Sequence, residues 1–222
     1  MENIIKIRSL DKITPDVLQV RAEKPPGLVF VPGQAADISI NKEGWREEKR
    51  PFTFTSLPGA DHIEFTIKTY PAHNGVTNQL LSLKAGDELV LHDVFGEIAY
   101  KGEGVFIAGG AGITPFLAIF RPLEASGQMG NNQLIFANKT RADIIHEALF
   151  TKLLGKHFIN VLSGEKIPGY LNGYITEKLL QDSITGNSQK IYLCGPPPMM
   201  DAVEKMLAGL HVNEDNIIKE GF

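Results

Sequence analysis

The sequence predicts two folded parts in tandem: a six-stranded antiparallel β-barrel, then an α/β domain with a Rossmann-like parallel sheet. Three observations lead to this prediction. Short segments of alternating apolar and polar residues, separated by proline and glycine turns, fill the first part of the chain. Beyond Gly104, apolar strands alternate with helical segments, as in parallel sheets that carry helices on both faces. Two turns rich in glycine and proline join a strand to a helix, at residues 109–115 and 194–199. We therefore place the barrel at residues 1–100 and the α/β domain at residues 104–222.

The barrel strands are predicted from period-two alternation between turn signals such as Pro25-Pro26-Gly27 and Pro58-Gly59. The six predicted strands cover residues 4–7, 17–21, 36–40, 52–55, 63–69 and 88–92. Short strands punctuated in this way are typical of a closed or nearly closed antiparallel barrel. One helical segment, at residues 76–83, interrupts the strands.

The α/β domain is predicted from apolar runs that are each followed by a turn and a helix. Its predicted strands cover residues 105–108, 133–137, 157–162 and 191–194, and its predicted helices cover residues 116–120, 144–154, 176–180 and 199–210. The whole chain has 222 residues, of which 43% are hydrophobic and 22% are charged, so it is long enough and apolar enough for two ordinary domains.

The first strand-to-helix turn reads Gly109-Gly110-Ala111-Gly112-Ile113-Thr114-Pro115. Glycine lets a backbone turn tightly and approach a ligand closely. Thr114 suits the N-cap of the following helix and Pro115 its first position. The backbone N–H groups at such a helix start can bind an anion, most simply a pyrophosphate. The alternative is a plain strand–helix turn in which glycine serves only close packing.

Two further segments are ambiguous when each is taken alone. Cys194-Gly195-Pro196-Pro197-Pro198 ends a predicted parallel strand where ligands bind in such sheets, but a lone cysteine is more often a small buried apolar residue. Arg50-Pro51-Phe52-Thr53 offers a cation, an aromatic ring and a hydroxyl in one extended run. These groups can bind a phosphate, a flat ring and a ring nitrogen. The alternative is a half-buried strand with a surface arginine.

Taken together and in this order, these segments resemble the ferredoxin–NADP reductase-like superfamily over nearly the whole chain. Arg50-Pro51-Phe52-Thr53 is similar to its flavin motif R-x-[YF]-[ST]. The resemblance implies that Arg50 binds the flavin pyrophosphate, that Phe52 packs against the isoalloxazine, and that Thr53 hydrogen-bonds flavin N5. Pro51 belongs to the same motif and is expected to bind the cofactor with them. The run Asn74-Gly75-Val76-Thr77 is similar to a second motif, G-x-x-[ST], in which Gly75, Val76 and Thr77 would bind a phosphate. Asn74 stands where the first glycine of this motif is usual. The flavin that we expect is FAD rather than FMN.

The later segments resemble the nicotinamide-dinucleotide half of the same superfamily. Gly110, Gly112, Thr114 and Pro115 match its glycine turn, and Cys194, Gly195 and Pro196 match its C-G-P-x-x-M motif. The resemblance implies that NAD(P)H binds along both turns. Glu220-Gly221-Phe222 resembles the family's E-x-aromatic ending, in which the aromatic ring covers the flavin and must move for nicotinamide. Thr53, Cys194, Glu220 and Phe222 are therefore the residues expected at the reacting atoms.

The resemblance implies an NAD(P)H-dependent flavoprotein reductase that takes a hydride from NAD(P)H onto bound FAD. Electrons would then pass to an external carrier protein, with flavodoxin or ferredoxin expected first. The single cysteine cannot supply the four ligands of an iron–sulfur cluster, so we expect the acceptor to be a separate molecule. The alternatives are the reductase component of an oxygenase or haem system, a free-flavin reductase, and a non-catalytic flavin or nucleotide sensor.

Several properties are expected from what the sequence lacks. It shows no secretory signal and no run of eighteen apolar residues, so we expect a cytoplasmic monomer without a membrane span. A net charge of -4 gives no global attraction to nucleic acid. The six histidines are scattered without metal-binding spacing, so no metal site is expected.

The choice between NADH and NADPH stays open in the sequence. Discrimination usually lies after the second strand of the dinucleotide domain, where an acid favours the ribose hydroxyl and a base favours the 2′-phosphate. That place holds Lys139, Arg141 and Asp143 together.

Overall fold

The computed structural model describes residues 3–186 and 188–220. Among these residues, the first six strands form one antiparallel sheet with the order β4-β3-β6-β1-β2-β5. The strands are β1 (Asn3–Thr14), β2 (Val17–Glu23), β3 (Ala35–Ile40), β4 (Arg50–Thr53), β5 (His62–Lys68) and β6 (Glu88–Phe95). A bridge between Phe54 and Phe65 joins the two outer strands and closes the sheet into the expected barrel.

Four of the six barrel strands are longer than alternation alone predicts, and β1 differs most. Strands β4 and β5 have the predicted length but begin two residues and one residue earlier than predicted. The first residues of β1 pair with β6, from Asn3 to Lys6, and its later residues pair with β2, from Ile7 to Thr14. A strand that changes partners at a barrel corner bends at bulges, and β1 carries irregularities there. Bulges break the period-two pattern, so the sequence shows only the regular first stretch.

The second sheet is parallel throughout and has the order β10-β9-β8-β7-β11-β12. Its strands are β7 (Gly104–Gly109), β8 (Gln133–Asn138), β9 (Phe158–Leu162), β10 (Leu171–Asn172), β11 (Lys190–Cys194) and β12 (Ile217–Glu220). The helices are α1 (Val76–Gln79), which precedes β6, and then α2 (Thr114–Ala125), α3 (Glu147–Leu154), α4 (Glu177–Ser183) and α5 (Pro197–Gly209). Separate apolar clusters pack on the two faces of the sheet, which confirms the α/β prediction.

Helix α2 lies between the sheet and the barrel. Every residue from Thr114 to Phe120 is buried. The turn between β1 and β2 contributes Ile13 and Val17 to the same apolar cluster as Phe116 and Phe120. Helix α2 thus packs against both the barrel and the parallel sheet. No helix among the described residues is long and apolar enough to cross a membrane.

The entries to two helices differ from the sequence prediction. Thr114 is the first residue of α2 and Pro115 the second, because a 3₁₀ turn at Gly110–Ile113 precedes the helix and Ile113 caps it. Helix α3 begins at Glu147, after His146 in a left-handed conformation with φ 53°. Ile144 is buried in the extended link before it, so its apolar character reflects the core and not a helix.

Candidate active site

The point where the barrel meets the α/β domain carries two hydroxyls in contact. Thr53 ends β4, Thr114 begins α2, and their Oγ1 atoms lie 3.1 Å apart. Thr114 Oγ1 also lies 3.0 Å from the carbonyl oxygen of Ala111. A hydroxyl has one proton, so Thr114 donates to one of these acceptors at a time. When it donates to Thr53, the proton of Thr53 is free for a ligand.

A cleft opens directly over this pair of hydroxyls. Its other lining residues are Pro51, Phe52, Thr66, Ile67, Lys68, Tyr70, Thr77 and Ala111. The surface is largely apolar, with one aromatic side chain from β4 and another from the loop after β5. A flat ring with a few polar edge atoms fits such a lining, because apolar walls cover its faces and hydroxyls meet its edge.

The barrel also provides groups for a phosphate. Arg50 is exposed at the start of β4, where its guanidinium lies 3.6 Å from Glu48 and donates to the carbonyl of Lys49. Gly75 caps α1 without a side-chain bond, and the first amides of that helix, those of Val76 and Thr77, have no acceptor within the helix. Helix α1 is one turn long, so phosphate binding there would depend on these N–H groups. This donor set fits a flavin dinucleotide.

The two strand-to-helix turns of the α/β domain pack against each other. A Cβ on Gly112 would lie 2.3 Å from the carbonyl oxygen of Cys194, and one on Gly109 would lie 2.5 Å from Met199 Sδ. Gly110, at φ 53°, has open space where its Cβ would be. Glycine is therefore needed for contact at two positions, and at the third it leaves room on the cleft floor. The turns line a second cleft with Lys68, Tyr70, Gly195, Pro196 and Pro197.

A third cleft continues past Gly110 to the ends of β8 and β9. It is lined by Lys68, Ala137, Asn138, Lys139, Asp143, Ser163, Gly173, Tyr174, Pro196 and Met199. Asn138 is 8% exposed and its Nδ2 has no hydrogen-bond partner among the described residues. A buried donor without a partner costs free energy, so this one points to a ligand. The three clefts share Lys68 and form one trough along the domain junction.

Comparison with known proteins agrees with this division of the trough. Residues 2–97 match the family model of an FAD-binding domain. Residues 106–205 match that of an oxidoreductase NAD-binding domain. The chain belongs to the ferredoxin–NADP reductase-like superfamily. Its two domains are of the kinds that bind FAD and a nicotinamide dinucleotide.

Relatives within this superfamily include the reductase component of propane 2-monooxygenase from Mycolicibacterium goodii, 30% identical over 98% of this chain and 66% of that protein. NADH-cytochrome b5 reductase 2 from Mycosarcoma maydis is 32% identical over 84% of this chain and 58% of that protein. The chain thus spans less than two thirds of the length of both. A ferredoxin NADP+ reductase from Neisseria gonorrhoeae, solved with bound FAD and NADP, covers 99% of this chain and 98% of its own with a TM-score of 0.85. At 22% identity this likeness shows the shared fold.

Cys194 and Glu220 line none of the three clefts of the trough. Cys194 is fully buried at the end of β11, and its register partner on β12 is Glu220. Burial, with a smaller contribution from Glu220, raises the pKa of the Cys194 thiol to about 12. Glu220 lines a separate cleft with Phe95, Glu97 and Lys219, and burial followed by the Glu97 charge raises its pKa. Pro115 is buried in α2 and lines none of these clefts. Phe222 lies outside the described residues.

Sequence reasoning missed four residues that line the trough. Lys68 and Tyr70 follow the end of the alternating run in β5, and a lysine closing an apolar strand is a signal that could have found the first. Asn138 lies at the end of β8, where ligands bind in parallel sheets. Tyr174 is 82% exposed, and no sequence pattern marks it.

Proposed function

We propose that this chain is an NADH-dependent flavoprotein reductase that passes electrons to an iron–sulfur carrier protein. The observation that carries the proposal is the contact between Thr53 of the barrel and Thr114 of the α/β domain at the floor of one trough. Bound FAD would supply the redox chemistry by accepting a hydride from NADH and releasing the electrons to the next carrier. We assign FAD binding to residues 1–100 and nucleotide binding to residues 104–222, since β6 ends at Phe95 and β7 begins at Gly104.

The barrel residues hold the flavin in this proposal. Arg50 neutralises its pyrophosphate, and the amides of Val76 and Thr77 add donors at the helix start that Gly75 caps, the Gly75 amide itself donating to the carbonyl of His73. Pro51 and Phe52 cover the ring, and Thr53 donates to flavin N5. The role of Thr53 rests on its position at the cleft floor, where its side chain is 4% exposed. Among the described residues its hydroxyl contacts the Thr114 hydroxyl, which leaves the proton of Thr53 for the flavin.

The two glycine turns hold the nicotinamide nucleotide. Gly110 leaves space for the pyrophosphate, Gly112 lets the turns meet, and Gly195 and Pro196 form the opposite edge. Thr114 bonds to the flavin-side hydroxyl of Thr53 and so fixes the distance between the two ligands. Cys194, Glu220 and Phe222 stay candidates for the nicotinamide end.

We assign NADH as the preferred donor because of how Arg141 and Asp143, two of the three charged residues after β8, are held. Arg141 donates to Glu147 at 3.2 Å and lies over the ring of Tyr170, so it is turned away from the trough. Asp143 lines the trough, and its Oδ2 accepts from the backbone N and the hydroxyl of Thr140, each at 2.8 Å. The other carboxylate oxygen is left to accept from a ribose hydroxyl and to repel a 2′-phosphate.

The acceptor follows from chemistry and from the relatives. Several relatives are reductase components of oxygenase systems, among them one described as a ferredoxin–NAD(P)(+) reductase component from a Ralstonia species. Cys194 is the one cysteine of this chain, so a cluster bound by four cysteines must come from another polypeptide or from sequence beyond this chain. We therefore propose a ferredoxin-type carrier as the acceptor, ahead of flavodoxin, a haem protein or free flavin.

The test is an anaerobic visible spectrum of the chain reconstituted with FAD, recorded before and after NADH or NADPH. Bleaching of the flavin band by NADH, at a higher kcat/KM than NADPH, supports the proposal. D143N should narrow the preference for NADH over NADPH. K139Q, which removes a cation from the same cleft, should widen that preference. A bound flavin that neither nucleotide reduces would show a sensor instead of a reductase. Faster oxidation by flavodoxin or free flavin than by ferredoxin would overturn the acceptor assignment.

A further inference from the structure

A second polar contact joins the two domains, and it comes from the same helix as Thr114. Arg121 lies about two turns further along α2, on the same face. Its Nη1 donates to the backbone carbonyl of Thr55 and, at 2.7 Å, to Oε1 of Glu64. Thr53 and Thr55 alternate with Phe54 and face the same side of the extended chain. Helix α2 therefore meets this segment of the barrel at two matched points.

The acceptor of this second contact is a buried carboxylate. The side chain of Glu64 is 3% exposed, and its Oε2 accepts from Arg21 Nε at 3.0 Å. Its Oε1 also accepts from the hydroxyl of Thr55 at 3.1 Å. That hydroxyl lies 3.2 Å from the hydroxyl of Thr66, which lines the flavin cleft. The charged pair thus connects to the cleft through one threonine.

A buried ion pair adds little net stability compared with a well-packed apolar pair, but it accepts only one geometry. Apolar contacts alone would let α2 slide along the barrel, because they have no fixed direction. Two directed contacts to alternate residues of one extended segment, Thr53 and Thr55, prevent that movement. The register of α2 on the barrel decides where Thr114 and the glycine turn lie relative to Thr53.

We propose that the Arg121–Glu64 pair is a positioning device for the redox reaction. It sets the register between the nucleotide domain and the flavin domain and touches neither ligand. The proposal rests on the reductase function proposed above. Because the residues assigned to the flavin all belong to the barrel, loss of the pair should leave FAD affinity unchanged and slow the transfer step. A displacement of about 1 Å far from the chemistry lowers a rate by roughly a hundredfold.

The test uses the full chain reconstituted with FAD and stopped-flow reduction at saturating NADH. The variants are R121M, E64M and the double variant R121M/E64M, in which an apolar pair replaces Arg121 and Glu64. Arg21, the other partner of Glu64, is partly exposed and keeps its hydrogen bond to Gln19 in these variants. The exposed Arg8–Asp61 pair on the barrel provides the matched control, R8Q. We expect the double variant to keep its thermal midpoint and its FAD affinity while its limiting reduction rate falls about ten- to a hundredfold. R8Q should keep the wild-type rate.

A double variant that reduces flavin at the wild-type rate would overturn the proposal. Should the double variant not fold, R121M alone decides, because it removes the one nitrogen that donates to both Thr55 and Glu64, while Glu64 keeps its ion pair with Arg21. R121M with a reduced rate and an unchanged KM for NADH supports positioning, and R121M with the wild-type rate contradicts it. Failure of NADH to reduce the wild-type protein would contradict the proposed function itself and is read separately.

Discussion

Replacing Gly112 by alanine tests whether the two strand-to-helix turns must touch. The added Cβ would lie 2.3 Å from the carbonyl oxygen and 2.5 Å from the carbonyl carbon of Cys194, and 2.7 Å from the amide nitrogen of Gly195. All three atoms are backbone at the end of a central strand, so no side chain can rotate away. Ordinary contact begins at 3.4 Å, so the turns must separate by about 1 Å.

Such a separation has two measurable consequences. Overpacking of this size costs about 1–3 kcal/mol of folding free energy. A shift of about 1 Å of the nucleotide turn relative to the flavin lowers the rate of flavin reduction by roughly a hundredfold. FAD affinity should not change, because the residues assigned to FAD lie in the barrel.

The assay combines thermal unfolding, FAD titration and anaerobic flavin reduction by NADH. G59A is the matched control, since a Cβ on Gly59 would have nothing within 4 Å and this glycine has no positive φ. A G112A protein that reduces its flavin at the wild-type rate would refute the inference that contact between the turns sets the nucleotide position.

Three further predictions concern titration, thiol reactivity and charge. Burial, and next the charge of Arg121, lower the pKa of His146 from its usual 6.5, so the unfolded state binds more protons below that pH and stability falls as the pH drops. Asparagine tolerates the left-handed conformation at this position, φ 53°, and it does not titrate. In H146N the free energy of unfolding, measured with denaturant, should therefore fall less steeply as the pH drops below 6.5. The same slope of unfolding free energy against pH in H146N and wild type would contradict this prediction. Cys194, with its thiol pKa raised to about 12, should react with iodoacetamide at neutral pH no faster than the protein opens, and rapid labelling of the folded protein would argue against its burial. Lys68 lines all three clefts of the trough, so we expect its ammonium to contact the nucleotide. Loss of a charge-assisted contact of about 1.5–3 kcal/mol in K68M should raise KM for NADH by roughly 10- to 100-fold at nearly constant kcat. An unchanged KM would show that Lys68 serves only its 2.8 Å ion pair with Asp16.

Regular periodicity and motif chemistry account for what the sequence predicted well. The alternating run in β5 and the apolar runs of β7, β8 and β11 all formed strands close to their predicted bounds. These segments are buried in sheets whose side-chain pattern repeats without interruption, so local sequence carries their structure.

The differences lie where contacts distant in sequence decide the local conformation. The two-residue strand β10 and the edge strand β12 have too few residues for a pattern, and they form because β9 and β11 offer open edges. Thr114 does not take its expected capping role, because the chain enters α2 through a 3₁₀ turn at Gly110–Ile113 and Thr114 is already helical. The same limit applies to the site, since the contact of Arg121 with Glu64 joins residues from two domains that no local motif relates.

The β1–β2 turn places Ile13 and Val17 in the same cluster as Phe116 and Phe120. The apolar surface of α2 is thus completed by residues that lie about a hundred positions earlier in the chain. While only the barrel has been synthesised, Ile13 and Val17 lack the α2 side chains on which they pack. Helix α2 in turn cannot bury its apolar side chains completely until it packs on the barrel. We therefore expect the amide protons of α2 to exchange with solvent only through global unfolding. Severing the connection near residue 100 should leave two fragments that recover native hydrogen exchange on mixing and not before.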